Sequence, residues 1–244
     1  MPRGRQHRVV GVLKKATGWF GASRCTDVHL RSPPQMVQYR AIACRIADEQ
    51  RGPVLDWGAG LGQVSKLLAD QGVDVTPFEY QPEQEAGVRP LGRYPELLAH
   101  SSQDPVELPF DDSSFDAVLS CGVLEHVRDP DGSMEEIRRV LRPRGTFYLY
   151  NLPNRWAYTE KVARMLGMYY HGALPDDRVY TLDSARDLLE RHGFDVRELR
   201  RAHMLPIILG GPGGLVWGVS STLERIPGLN VVATTIEGVA LAPP

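Results

Sequence analysis

"VLDWGAGLGQVSKLLADQG", Val54–Gly72, is the stretch on which the fold turns. "PVLDW" is a short apolar run and predicts a buried strand. "GAGLG" predicts a turn, and "QVSKLLADQG" predicts a helix closed by Gly72. Strand, glycine turn and helix in that order bring bare backbone and helix N-terminal N–H groups up to a ligand. Spacing excludes two phosphate-binding patterns. A P-loop needs G-x-x-x-x-G-K-[ST], but Gln63 follows Gly62 and the next lysine is Lys66. A dinucleotide fingerprint needs G-x-G-x-x-G; Gly58 and Gly60 fit its first two positions and the third falls on Gln63. The pattern present is D-x-G-x-G-x-G, from Asp56 to Gly62. A carboxylate this close to the turn repels a pyrophosphate and suits a ligand with a cationic amino group.

Outward from the turn, strands and helices alternate. An amphipathic helix is predicted over 35–50, with Pro33 and Pro34 before it and Arg51-Gly52-Pro53 ending it. "VDVTPFEY" reads as a strand, and "QPEQEAGVRPLG" as a polar, turn-rich stretch holding a short helix. "FDAVLSCGVLEHV" begins as a strand and ends in a loop or helix start. "SMEEIRRVLRPRG" reads as a helix stopped by residues 142–145, and "TFYLYNLP" as a further strand. "TLDSARDLLERHG" is a helix that Thr181 or Asp183 caps. "FDVRELRRA" and "NVVATTIEGVALA" read as strands. This alternation predicts an α/β fold with a parallel sheet.

Composition is ordinary for one globular domain: 244 residues, 42% hydrophobic, 24% charged. The net charge of −2 supplies no broad field for nucleic acid. Residues 1–26 hold six basic side chains and no acid. They read as a solvated basic terminus, or as a targeting or anionic-surface segment. Cys25, Cys44 and Cys121 lack metal spacing and even pairing, which suggests reduced thiols and a cytoplasmic setting. No apolar run is long enough to predict a transmembrane helix.

Three downstream features bear on the ligand. Glu79 ends the second strand, seventeen positions after Gly62, where a carboxylate accepts two ribose hydroxyls. Asp104, in "SQDPVELPFDD", sits where a carboxylate accepts from an exocyclic adenine amine. "CGVLEHVRDP" follows the fourth strand, at the strand ends where open α/β sheets place ligands.

With these motifs in order, the chain resembles the class I S-adenosylmethionine-dependent methyltransferases, in the small-molecule branch that includes quinone-biosynthesis enzymes. The resemblance rests on "VLDWGAGLG", "FEY", "DPVELPFDDSSFDAV", "VLEHVRDP" and "EEIRRVLRPRGTFYL", across about residues 50–152. It implies a Rossmann-like, seven-stranded sheet with the last strand antiparallel and helices on both faces. It implies that Asp56, Gly58, Ala59, Gly60 and Gly62 hold the methionine part of S-adenosylmethionine. Glu79 would bind the ribose, with Tyr80 beside the adenine and Asp104 and Pro105 at its edge. Backbone at Ser120, Cys121 and Gly122 would meet the amino group. The domain would run over 35–244 after a basic segment 1–34, with a cap at about 153–180 and an apolar insertion at about 204–229 that the minimal family core lacks. Trp19-Phe20 and the 35–50 helix would close over the cofactor, as such segments do in relatives, or simply pack.

The chemistry expected is methyl transfer to a small, moderately apolar acceptor: oxygen first, then carbon or nitrogen. His126 is the candidate base, because imidazole exchanges protons near neutrality; its alternative is a packing or capping role. Some ubiquinone-type relatives hold a divalent ion at the Glu-His pair with a further carboxylate three positions earlier. That position is Gly122 here, so no metal requirement is expected. Asn151, Asn154, Trp156, Tyr158, Tyr169, His171 and Tyr180 read either as an aromatic acceptor pocket or as a packed cap. Asp176-Asp177-Arg178 reads as a solvated turn. "MLPIILGGPGGLVWG" reads as a lid, a hydrophobic wall, a dimer contact or a peripheral membrane contact, with its glycines working against a long helix. The rival readings are an NAD-dependent oxidoreductase, disfavoured by Asp56 and Gln63, and a non-catalytic nucleoside-binding protein of the same fold.

Overall fold

The computed structural model describes residues 32–165, 167, 171, 176–206, 212–226 and 228–244. The basic segment with Trp19-Phe20, Tyr169 and residues 207–211 of the apolar insertion lie outside the described residues.

The sheet is built around β1 (Val54–Trp57), four residues buried on both faces. It pairs in parallel with β2 (Val75–Tyr80) on one side and β5 (Phe115–Cys121) on the other. Beyond β2 lie β4 (Leu98–Ser102) and then β3 (Gly87–Pro90); beyond β5 lie β6 (Leu141–Pro153), β8 (Thr235–Leu241) and β7 (Asp195–Ala202). The order is β3-β4-β2-β1-β5-β6-β8-β7. β8 runs antiparallel to both neighbours, so "FDVRELRRA" and the terminal strand form the expected hairpin. The chain leaves β1 on one side and returns on the other, and this reversal opens a crevice at the carboxyl ends of β1, β2 and β5.

The sheet has eight strands where seven were expected. The addition is β3, antiparallel to β4, in the stretch read as a short helix. All four of its residues are exposed. An edge strand wet on both faces carries no apolar alternation, so periodicity does not reveal it.

Helix α1 (Pro33–Glu49) starts two residues earlier than predicted. Ser32 caps it by accepting the Gln35 N–H at 3.2 Å. Pro33 and Pro34 occupy the first turn, where a missing N–H costs nothing. Helix α2 (Gln63–Ala69) follows the glycine turn, and α3 (Pro130–Val140) is capped by Asp129. Helix α5 (Leu182–Arg191) takes Thr181 as its cap, with Ser184 reciprocating; a shorter helix, α4 (Tyr158–Met165), precedes it. Ile42, Ile46, Val64 and Leu68 of α1 and α2 cover one face of the sheet at Val54, Ala117, Leu119 and Tyr148. Met134, Ile137, Leu188 and Leu189 of α3 and α5 cover the other at Leu55, Val118, Phe147 and Leu149. Adjacent residues of one strand thus serve opposite cores, as the pleat requires.

Within the apolar insertion, Gly213–Glu224 forms helix α6, which packs along α1. Its glycines disfavour a helix in isolation, and one of them makes this docking feasible. A Cβ on Gly213 would stand 2.6 Å from the Pro33 carbonyl carbon and oxygen. Gly213→Val is therefore expected to cost about 1–3 kcal/mol in urea unfolding, because backbone must separate to admit it. Gly214→Val, where a Cβ meets nothing, is the control. Equal loss in both would make helix propensity, not close approach, the cause. No helix among the described residues is long and apolar enough to cross a membrane.

Candidate functional site

A cavity of about 480 Å³ occupies the crevice, and its wall includes Asp56, the 58–61 turn, Glu79, Tyr80, Asp104 and His126. The turn is shaped by its backbone. Gly58, Gly60 and Gly62 have φ of 75°, 56° and 79°, the left-handed region that glycine enters without penalty. The Gly58 and Ala59 N–H groups donate to the Phe78 carbonyl, folding the turn back on β2. A Cβ on Gly58 would lie 2.5 Å from Val123 Cγ2, whereas one on Gly60 would meet no protein atom. Gly62 does not line the cavity; it precedes α2 and packs beneath Leu91.

Asp56 is buried at the base of the turn and accepts from Ser65 Oγ at 2.5 Å. Burial pushes its carboxyl up to about 6, the nearby Glu79 charge adds to this, and the Ser65 hydroxyl opposes it. Glu79 Oε2 accepts the Gly60 N–H at 2.6 Å, and burial raises that carboxyl too. Asp104 is exposed; its Oδ1 accepts the Val106 and Glu107 N–H groups at 2.8 Å, which lowers its pKa. Pro105, Cys121 and Gly122 line the cavity, and burial raises the Cys121 thiol. Ser120 is fully buried beneath the wall and does not line it. From α1, Tyr39 reaches the cavity, as do Trp57, Phe78, Val106 and Leu108. The sequence does not single out these apolar walls, although it offers the 35–50 helix as closing over the cofactor. One carboxylate at the turn, a second at the end of β2 and aromatic walls between fit a ligand with an ammonium, a vicinal diol and a flat base.

His126 lines the same cavity and is about half exposed. Its Nδ1 lies 3.0 Å from Asp177 Oδ1, on a carboxylate that is 2% exposed. Asp177 is therefore no solvated turn residue, which corrects the sequence reading. The Arg178 N–H donates to the Glu125 carbonyl at 2.8 Å, and its guanidinium bonds the Val127 and Arg128 carbonyls, clamping 176–178 onto the loop after β5. Nothing local in the sequence signals this pairing across 51 positions. Glu125 is buried, and burial pushes its carboxyl up to about 7. His171 stacks on His126 with centroids 5.7 Å apart. Burial works against its charged form, but the adjacent Glu160 carboxylate more than offsets this and raises its pKa.

None of the described acceptor candidates, His171 included, lines this cavity. Asn154 is buried and donates to the Val231 and Ala233 carbonyls. Tyr158 donates to the Met204 carbonyl at 2.9 Å, and Tyr180 is buried near the Leu124 carbonyl. Trp156 is exposed. Asn151 lies behind the wall, donating to Cys121 Sγ at 3.4 Å and accepting from Gln38 Nε2 at 2.6 Å. Gln38 Nε2 also lies 2.8 Å from His203 Nε2 and 3.0 Å from Glu237 Oε1, a buried polar cluster that sequence reading missed. Its members come from α1, β6, β8 and the loop after β7.

Comparison with known proteins agrees with this geometry. Residues 55–149 match the family model described as a methyltransferase domain. A Mycolicibacterium smegmatis protein described as a "probable S-adenosylmethionine-dependent methyltransferase" is 32% identical over 163 residues, 66% of this chain and 58% of that one. The demethylmenaquinone methyltransferase of Renibacterium salmoninarum is 32% identical over 143 residues, 54% of this chain and 58% of that one. The chain thus spans less than two thirds of the length of these relatives. The Burkholderia thailandensis 1,6-didemethyltoxoflavin-N1-methyltransferase, solved with S-adenosylhomocysteine, shares the fold with a TM-score of 0.54 at 18% identity, covering 100% of this chain and 93% of that one. The glycine turn, its two carboxylates and the matched region converge: residues 55–149 are similar to a methyltransferase domain, and the relatives matched include S-adenosylmethionine-dependent methyltransferases.

Proposed function

We propose that this protein transfers a methyl group from S-adenosylmethionine to a hydroxyl oxygen of a small, moderately apolar acceptor. The observation that carries the reading is the His126–Asp177 pair on the wall of the cavity that Asp56 and Glu79 define. The cofactor supplies an electrophilic methyl on a sulfonium. Asp56 pairs with its ammonium, Glu79 accepts its ribose hydroxyls, and Asp104 and Pro105 meet its base. Tyr39, Trp57 and Phe78 exclude water from the cavity. Asp177 accepts a hydrogen bond from His126 Nδ1–H and holds that tautomer, which leaves the Nε2 lone pair to accept the acceptor's hydroxyl proton. Alignment of that oxygen with the methyl provides most of the rate. An apolar acceptor agrees with the demethylmenaquinone methyltransferase relative.

Calorimetric titration tests the cofactor. S-Adenosylmethionine and S-adenosylhomocysteine are expected to bind with micromolar Kd, and NAD is not. Binding of NAD alone would overturn the reading. Asp56 adds a pH signature. Its carboxyl is pushed up to about 6, and only the ionised form pairs with an ammonium. Affinity is therefore expected to be flat above pH 7 and to fall toward about tenfold per pH unit below 6. Asp56→Asn is expected to remove that dependence. A panel of phenols, alcohols and amines, read by S-adenosylhomocysteine release, tests the accepting atom. Turnover confined to amines would replace oxygen by nitrogen.

A further inference from the structure

A second cavity, of about 480 Å³, lies at the outer edge of the sheet and shares no lining residue with the first. β7 is the edge strand, and the cavity sits between its 199–201 end, helix α6 and the 229–232 turn. Its polar groups divide into two sets. The first set is paired. Glu224 accepts the His203 N–H at 2.7 Å, Ser220 Oγ at 3.1 Å and Arg200 Nη1 at 3.3 Å. Arg200 and the His203 ring each also reach Glu237 at 2.7 Å. The second set is unpaired. Arg201, Arg225, Ser221 and Asn230 line the cavity, and none has a side-chain hydrogen bond or an ion pair among the described residues. Arg201 Nε is buried as well as unpartnered. A guanidinium that gives up water without a counter-ion is costly, and an anion beside it removes that cost.

We propose that this cavity binds a phosphate monoester carried on a planar, apolar body. The carboxylate on the wall is already paired, so Arg201 and Arg225 leave two positive charges unopposed. Two guanidiniums match the nearly dianionic charge of a phosphate monoester at pH 7, and their forks suit its oxygens. Ser221 and Asn230 add neutral donors. Leu182, Leu199 and Trp217 supply the apolar wall. Trp217 packs on His203 with ring centroids 5.0 Å apart, which holds the indole in place for a flat body to lie against. The volume is that of a small-molecule pocket, and a bare phosphate would leave most of it empty.

Helix α6 itself works against the anion. Its carboxyl end, at Arg225, is the negative end of the helix dipole. Attraction therefore comes from the guanidiniums, and Arg225 is the more sensitive of the two because it also offsets that end. Arg201 and Arg225 stand 24 positions apart, and they share a cavity only because α6 folds back beside the sheet edge.

The test is calorimetric titration of the full chain at about 0.15 M salt, with and without saturating S-adenosylhomocysteine. The probe is 1-naphthyl phosphate, and 1-naphthol and inorganic phosphate are its two halves. One equivalent of probe is expected to bind with a Kd below about 1 mM, equally with and without S-adenosylhomocysteine. Each half is expected to bind at least about tenfold more weakly. Arg201→Gln and Arg225→Gln are each expected to weaken the probe at least about tenfold, and Arg201→Lys, which keeps the charge and loses the fork, to weaken it less. Arg89→Gln, on β3 at the opposite edge of the sheet, is expected to change nothing. Thermal melts report folding; Arg225 is exposed, so its variant keeps the test valid if Arg201→Gln unfolds. Competition by S-adenosylhomocysteine would place the probe in the first cavity and overturn the second site. Absence of saturable binding, equal affinity for 1-naphthol, or equal affinity in wild type and both Gln variants would overturn it too. Equal affinity for inorganic phosphate would overturn the apolar body.

Discussion

His126→Ala is expected to lower kcat by about 10²–10⁴-fold on a hydroxyl acceptor, with the Kd for S-adenosylmethionine changed by less than about threefold. The asymmetry follows from position. His126 lines the cavity, whereas the groups proposed to hold the cofactor's ends, Asp56 and Glu79, stand on other strands. Removing the imidazole leaves the acceptor to lose its proton to water. Asp177→Asn tests the same pair from behind. It is expected to retain more activity than His126→Ala, because the ring remains but its tautomer is no longer held. Single-turnover measurements with saturating cofactor separate chemistry from product release. A His126→Ala rate within threefold of wild type would assign the histidine to packing and would point to a carbon or nitrogen acceptor that needs no base.

The second large effect is expected at Glu79. Glu79→Ala should raise the Kd for S-adenosylmethionine by about 10²-fold or more, since hydrogen bonds to a charged acceptor contribute about 1.5–3 kcal/mol each. Two effects combine there. The ribose loses its acceptor, and the Gly60 N–H loses the carboxylate that it reaches at 2.6 Å. The turn then relaxes in the region where the cofactor crosses it. Glu79→Gln separates the two: it keeps a carbonyl for Gly60 but presents an NH2 to a ribose hydroxyl, and an intermediate Kd is expected. Melting curves without cofactor check that the fold is intact. An unchanged Kd in Glu79→Ala would move the ribose elsewhere in the cavity and with it the assigned orientation of the ligand.

Much of this site is legible along the chain, for a physical reason. A glycine turn between a buried strand and a helix is a local object. Its φ values, its N–H groups and the Asp56 that precedes it all fall within seven residues. Glu79 is readable because it closes a predicted strand, and strand ends are where an open sheet keeps its crevice; Asp104 is readable through the motif around it. Each strand of the final hairpin is readable from its own pattern, and their antiparallel pairing is implied by the resemblance. What fails to read is either exposed or distant. β3 has no buried face, so nothing in its composition distinguishes it from a turn. The cap residues Asn154 and Tyr180 look like pocket residues because amides and phenols serve ligands and backbone carbonyls equally well; here carbonyls of residues 231 and 233 take the Asn154 amide.

Local chemistry alone is enough to establish the α/β fold, the crevice at the strand ends and the carboxylates that line it, since these follow from period, turn geometry and charge over short spans. Tertiary structure alone decides what stands beside His126. Asp177 and His171 belong to a segment whose sequence suggests an acceptor pocket or a packed cap, then a turn, and Asp177 meets His126 where Arg178 clamps the segment onto the loop after β5. Side chains 45 to 51 positions apart acquire a shared chemistry only when the sheet order brings their segments together, and no pattern confined to one segment encodes that distance.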